Sequence, residues 1–254
     1  MSQDYKIQGS LAIPEEIRRS LSTIGFLEYS ERSKKLIADL NQEFQGNELL
    51  AFPGEFKTGQ LITHSNTPRA LYMAWHFKEH PSGLHLSTHT ENIRYKDSLP
   101  NEGNGTYSDL DGIPVFPNEG ENKDLWQRVK DITGKRPKKT PFIVSGLKPV
   151  RDSSMDSDFN LEETEHMKVE YAPWLKENGW VKYDSKKEKI VRCKPRDEGA
   201  VYVVVPSDQS GLGGLYRNWD DVLNARNDNL LNASEYGRVQ VVQDPKSLTE
   251  KISE

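Results

Sequence analysis

The sequence has a single cysteine, Cys193. One thiol excludes a disulfide within the chain and any zinc site built from several thiolates. Long apolar runs are missing too. Hydrophobic residues make up 34%, mean hydropathy is −0.78, and nothing approaches the ~20 apolar residues of a membrane-spanning helix. The first residues, MSQDYKIQGS, hold no apolar segment of the secretory kind. These absences point to a soluble, cytoplasmic protein with no membrane partner. An overall positive charge is also absent. The net charge is −5, so a nucleic-acid site would have to be a local basic patch.

Catalytic signatures are sparse. Ser145 and Ser210 lack the upstream glycine of a nucleophile elbow, and there is no Walker A sequence and no internal repeat. The stretch SGLGG (210–214) carries part of a dinucleotide fingerprint. Its backbone amides could cradle a phosphate, or it is a plain loop.

What is present argues for a folded chain. Its 254 residues suffice for a sizeable core, and the 23 Trp, Tyr and Phe residues are too many for a disordered one. Pro14, Glu15 and Glu16 open a short helix. Ser30 to Gly46 reads as a second, with Leu36, Ile37, Leu40 and Phe44 at helical spacing. From residue 49 the pattern turns to strands: LLAF, QLITH, ALYMAWHF and LHLSTHT. The last two, separated by KEHPSG, read as a β-hairpin. Residues 97–120 are rich in Gly, Asn, Asp and Pro and read as a long loop, a lid or a connector. Asn122 caps an expected helix with Leu125, Trp126, Val129 and Ile132 as its stripe. PFIVSGL reads as a strand, PWLKENG as a short helix, and WVKYDSKKEKIVRC as strand, turn, strand. AVYVVV and GRVQVVQ read as strands, and Asn218 as the cap of a helix carrying Trp219, Val222, Leu223 and Leu230. PKSLTEKI is an expected terminal helix.

Five of the six histidines fall between His64 and His89. Histidine is the common metal ligand and proton carrier near neutral pH. Both His76/His80 and His85/His89 are four residues apart. On strands, that separates them by about 13 Å, too far for one zinc at ~2 Å bonds. A cross-strand pair is the alternative. If Lys78 pairs with Gly83, His76 faces His85; a one-residue shift puts Phe77 there instead. His76, His85 and His89 are therefore the candidate catalytic residues. His76, His85, His64, Asp109 and Asp111 are the candidate ligands of a divalent metal. The bland reading is that these histidines line a half-exposed strand face.

Two basic stretches stand out, RVKDITGKRPKK (128–139) and KYDSKKEKIVRCKPR (182–196). The second follows a helix and a glycine and makes a two-stranded turn, the closing pattern of a winged helix, whose wing touches phosphates. No helix-turn-helix precedes it, and its plainer reading is a solvated Lys-rich hairpin. Cys193 sits between Arg192 and Lys194, which point away from it on a strand, so the thiol is expected to be inert.

Residues 200 to about 250 run AVYVVV, a Gly-containing loop, GLYRNWDDV, EYGRVQVV and PKSLTE. Tyr202, Gly214, Leu215, Tyr216, Trp219, Asp221, Tyr236 and Arg238 match a motif pattern. This is similar to the small hybrid-binding module shared by caulimovirus viroplasmin and some ribonuclease H proteins. The resemblance implies binding of RNA/DNA hybrid or duplex RNA through Trp219, Tyr236 and Arg238. Asp208 and Gly237 stand where the module is basic. No resemblance is recognised in residues 1–199.

The expected fold is α+β, a mainly antiparallel sheet with flanking helices and long loops. The polar stretch 151–160 is the candidate boundary. It divides 1–160, a helical segment with the histidine hairpin, from 161–254, a smaller α/β region, unless the two are one continuous domain. The leading functional reading is an enzyme with a histidine-centred, metal-assisted hydrolytic or oxidative site, acting on a small molecule under the 97–120 loop. The alternative is a non-catalytic nucleic-acid-binding or regulatory protein using both basic stretches, Lys186 and Lys187 included, and the aromatic C-terminal module. A third is a protein–protein interaction domain.

Overall fold

The chain is α+β. The computed structural model describes residues 7–8, 23–27, 66–78, 84–94, 96, 107–134, 139–152, 154–155, 159–218, 220, 222–226, 230 and 237–243. The expected helices at 14–46 and after residue 244, and the strands LLAF and QLITH, lie outside the described residues.

The elements in chain order are β1 (Ile7–Gln8), β2 (Thr23–Leu27), α1 (Thr67–Lys78), β3 (Leu84–Leu86), α2 (His89–Arg94), β4 (Tyr107–Asp109) and β5 (Ile113–Val115). Then come α3 (Lys123–Thr133), β6 (Phe142–Ser145), β7 (Lys148–Arg151), β8 (Phe159–Glu162), β9 (Lys168–Tyr171) and a 3-10 turn (Pro173–Leu175). The rest are β10 (Gly179–Asp184), β11 (Lys189–Arg192), β12 (Val201–Val204), β13 (Tyr216–Asn218), β14 (Val222–Asn224) and β15 (Gly237–Gln243). Among the described residues, a ten-stranded sheet runs β1-β2-β15-β4-β13-β14-β12-β10-β11, with β3 also paired to β15. Its pairs are antiparallel except β12 with β14 and β4 with β15. A second sheet runs β5-β6-β9, and β7 pairs with β8. Strands from both sides of residue 160 share sheets: β4 pairs with β13 and β6 with β9.

Several elements form as their sequences dictate. α3 buries Leu125, Trp126 and Val129 and ends at Gly134, whose φ of 56° favours glycine. Its N-cap is Asn122, without a side-chain cap bond. The buried Trp126 satisfies its indole N–H on the Phe116 carbonyl at 3.1 Å. β6, β10, β11, β12 and β15 stand where the strand patterns put them.

Three expectations are corrected. ALYMAWHF is not a strand but the body of α1. Ala70, Leu71, Tyr72, Met73 and Ala74 are all buried. A helix buried all round shows no stripe, so its run reads as easily as a strand. Its start is specified locally: Asn66 Oδ1 accepts from Arg69 N–H at 3.0 Å, and Pro68 lies in the first turn. The histidine hairpin is therefore not formed. β3 pairs instead with β15, placing His85 opposite Val242.

The Asn218 helix is absent as well. Residues 216–218 and 222–224 are strands of a reversing pair, with Arg217 opposite Leu223. Leu223 and Ala225 reach the core as strand residues, so sheet pairing overrides the helical spacing. Finally, the described part of 97–120 is no lid. β4 sits inside the large sheet and β5 in the small one. Leu110, Ile113, Val115 and Phe116 are core residues. Gly112 and Pro114 punctuate these strands without expelling them to the surface.

The core has two parts. One gathers Ile93, Trp174, Val181, Val203 and Leu223 under one face of the large sheet. The other gathers Leu71, Val115, Trp126, Phe142 and Phe159 around the small sheet and α3.

Candidate functional site

His85 and His89 flank the junction of β3 and α2. The junction is built by a capping box. Thr88 Oγ1 accepts from Glu91 N–H at 3.2 Å, and Glu91 Oε2 accepts from Thr88 N–H at 2.8 Å. The other carboxylate oxygen, Oε1, lies 2.9 Å from His85 Nε2. Burial works to raise the Glu91 carboxyl. The bonds from His85 and Thr88 outweigh it, so Glu91 titrates below its usual range.

His89 opens α2 and is buried. Its ring packs against Trp174, with centroids 5.6 Å apart. Nε2 lies 3.3 Å from Glu170 Oε2, an ion-pair contact that misses hydrogen-bond geometry, and Nδ1 has no hydrogen-bond partner. His89 holds the Glu170 carboxyl below its usual range, against the opposing effect of burial. Glu170 itself is half-exposed, at 55%. Each of the two histidines thus has its own carboxylate, and such a pair can hold or move a proton.

The aspartates of the expected metal set serve the fold. Asp111 Oδ1 accepts from Gly146 N–H at 3.4 Å. Asp109 is buried near Arg69, a wholly buried arginine on α1. Burial pushes the Arg69 guanidinium down to about 9, while Asp109 and then Tyr107 work against that. It remains a cation at neutral pH. His64 lies outside the described residues, as does the side chain of His76, whose backbone is helical. Among the described residues, no three His, Cys, Asp or Glu side chains come together to hold a metal.

A second constellation lies on the large sheet. Residues paired in register share a face. Tyr107 pairs with Asn218, Val222 with Tyr202, and Tyr202 with Trp180. The β13–β14 register, carried on one residue, puts Asn218 opposite Val222. One row therefore crosses five strands, and all its members are half-buried. Two T-shaped ring pairs decorate this face: Trp180–Tyr202 at 5.2 Å and Tyr107–Tyr216 at 5.4 Å. The other face holds the buried Val181, Val201, Val203 and Leu223. Lys182, two residues beyond Trp180, lies on the row's side.

The β10–β11 hairpin at the end of this sheet carries most of the second basic stretch. Residues 182–196 hold seven Lys or Arg against two acids. Lys186 and Lys187 stand exposed in its turn. Lys182 and Lys187 reach Asp197 and Asp184, each at 3.3 Å, in solvent-screened surface pairs. Trp219 and Tyr236 lie outside the described residues. Arg238 pairs through its backbone with Ser108 of β4.

The SGLGG stretch is not a phosphate cradle. Its amides are spent within the protein. Gly211 N–H donates to the Asn118 carbonyl, Gly213 to Pro114 and Gly214 to Arg226. A β-carbon on Gly213 would stand 2.8 Å from the Ala225 carbonyl oxygen, so glycine serves close backbone approach here. Burial, then Asp197, pushes the Cys193 thiol up.

Sequence reasoning missed Arg69, Glu91, Glu170 and the Tyr107–Trp180 row. Thr88-x-x-Glu91 is a legible capping-box signature. Asn66 with Pro68 is a legible helix start. The row was hidden, because sheet order decides it. Comparison with protein-family models, with curated proteins and with solved structures finds no match. Among the described residues, no helix is long and apolar enough to cross a membrane.

Proposed function

We propose that this chain binds nucleic acid through the half-open face of its large sheet and the basic hairpin beside it. The observation carrying this is the in-register row Tyr107–Asn218–Val222–Tyr202–Trp180, ending at a lysine-rich hairpin in an otherwise acidic chain. Aromatic rings on a sheet offer π-faces to bases, and lysines meet phosphates. A filter-binding titration of the full chain with RNA and DNA, single- and double-stranded, at low and moderate salt tests it. Binding should fall as salt rises, and Lys186→Glu with Lys187→Glu should weaken it and flatten the salt slope. No binding of any form at low salt removes the reading.

A second reading, proton-transfer catalysis at His89, is favoured by its buried Nδ1 and the nearby Glu170. Hydrolysis of a panel of activated esters and phosphodiesters, lost in His89→Gln, supports it. No turnover across the panel ends it. Its metal-assisted form draws on His64, His76 and His85. It fails if protein purified without a tag carries no divalent metal and a chelator leaves its Tm unchanged.

A further inference from the structure

The two ring pairs on the sheet face narrow the kind of nucleic acid, an inference that rests on the nucleic-acid reading above. We infer that the ligand is a single strand whose bases stack on Tyr202 and Trp180, with its backbone running toward Lys182 and the turn lysines Lys186 and Lys187.

The geometry carries this in three steps. The row crosses β10, β12, β14, β13 and β4, which are four inter-strand spacings, or about 19 Å at ~4.8 Å each. That width suits two or three unstacked bases on a sheet. A duplex keeps its bases inside the stack, where sheet-face rings cannot reach their π-faces.

Next, the rings are reachable without being bulk apolar surface. Trp180, Tyr202, Tyr107 and Tyr216 are all half-buried. Among the described residues the exposed large hydrophobic side chain is Tyr171, on β9 and off this sheet. A stacked base needs one ring face, and any base will do.

Finally, the charge is where a backbone would run. The 182–196 hairpin has seven cations to two acids within a chain of net −5. The cations cluster at one end of the aromatic row, Lys182 being two residues along the same strand from Trp180. This is charge complementarity to one phosphate backbone beside a line of rings.

The test uses the full chain and fluorescein-labelled oligo(U), oligo(dT) and a mixed-sequence duplex, each of about twelve nucleotides or base pairs. Binding is read by anisotropy at low salt. Both single strands should bind more tightly than the duplex. Tyr202→Leu, which keeps an apolar side chain on the sheet, should weaken single-strand binding roughly 5- to 150-fold, and Trp180→Leu likewise. Tyr202→Phe should keep wild-type affinity, which separates stacking from a merely structural role. Circular dichroism on each variant checks the fold. If duplex and single strands bind alike and Tyr202→Leu changes nothing, stacking is overturned while the nucleic-acid reading stands. If no probe binds, both fall together.

Discussion

Gly120 and Gly211 approach so closely that a β-carbon on Gly120 would stand 2.6 Å from the Gly211 α-carbon. Around this contact Asn118 N–H donates to the Gln209 carbonyl, and Gly211 N–H donates to the Asn118 carbonyl. Two backbones clasp with nothing between them. Gly120→Ala should therefore destabilise by about 1–3 kcal/mol, since backbone must shift on both sides. Asn118→Ala removes one exposed bond to the Asp208 carbonyl and should cost about 1 kcal/mol at most. Urea denaturation compares the two.

Arg69 is expected to be costly to remove. Arg69→Met leaves Asp109 buried without its neighbouring cation, and should destabilise by about 3 kcal/mol or more. Replacing both, as Arg69→Met with Asp109→Leu, should recover most of the loss, because no lone charge is left in the sheet. A double-mutant cycle in urea measures the coupling. Additive losses would show that the two side chains do not act as a pair.

The capping box gives a pH signature. Glu91 titrates below its ordinary value near 4.5 when folded. Its carboxylate therefore contributes stability that is fully present above 4.5 and is lost as pH falls through the folded value. Glu91→Gln should remove that part of the acid dependence. Thr88→Ala should cost about 1 kcal/mol at neutral pH. Thermal melts between pH 3 and 7 check both.

Cys193 should react slowly. With its thiol raised by burial and by Asp197, little thiolate exists at neutral pH. Iodoacetamide labelling of the native chain should lag well behind that of urea-unfolded chain. Equal rates would contradict the burial.

The sequence was legible where local rules act alone. Amphipathic spacing gave α3, a β-rich apolar run gave β12, and alternation gave β15. The Lys-rich turn gave the β10–β11 hairpin. Legibility ended where burial erased the period. α1 is buried through Ala70–Ala74 and carries no polar stripe, so its apolar run matched a strand. Residues 216–218 and 222–224 lie in a stretch of helical spacing, yet pairing with β4 and β12 makes them strands. Of the candidate site, His85 and His89 were found from composition, whereas their partners Glu91 and Glu170 were not. Glu91 was visible in the Thr88-x-x-Glu91 spacing. Glu170 lies 81 positions from His89 in sequence, and no local signal spans that gap. The Tyr107–Trp180 row is invisible for the same reason, being a product of strand order.

The last of the described strands, β15, pairs with β2, β3 and β4. A ribosome delivers its residues after every other described strand has emerged. Until then, among the described strands, β3 lacks its partner, β2 has β1 alone and β4 has β13 on one side alone. Such long-range closure slows folding and leaves strand edges open meanwhile. Refolding of this chain should be slow for its size and sensitive to concentration. A chain ending before Gly237 should fall to aggregation or proteolysis rather than fold with one strand fewer.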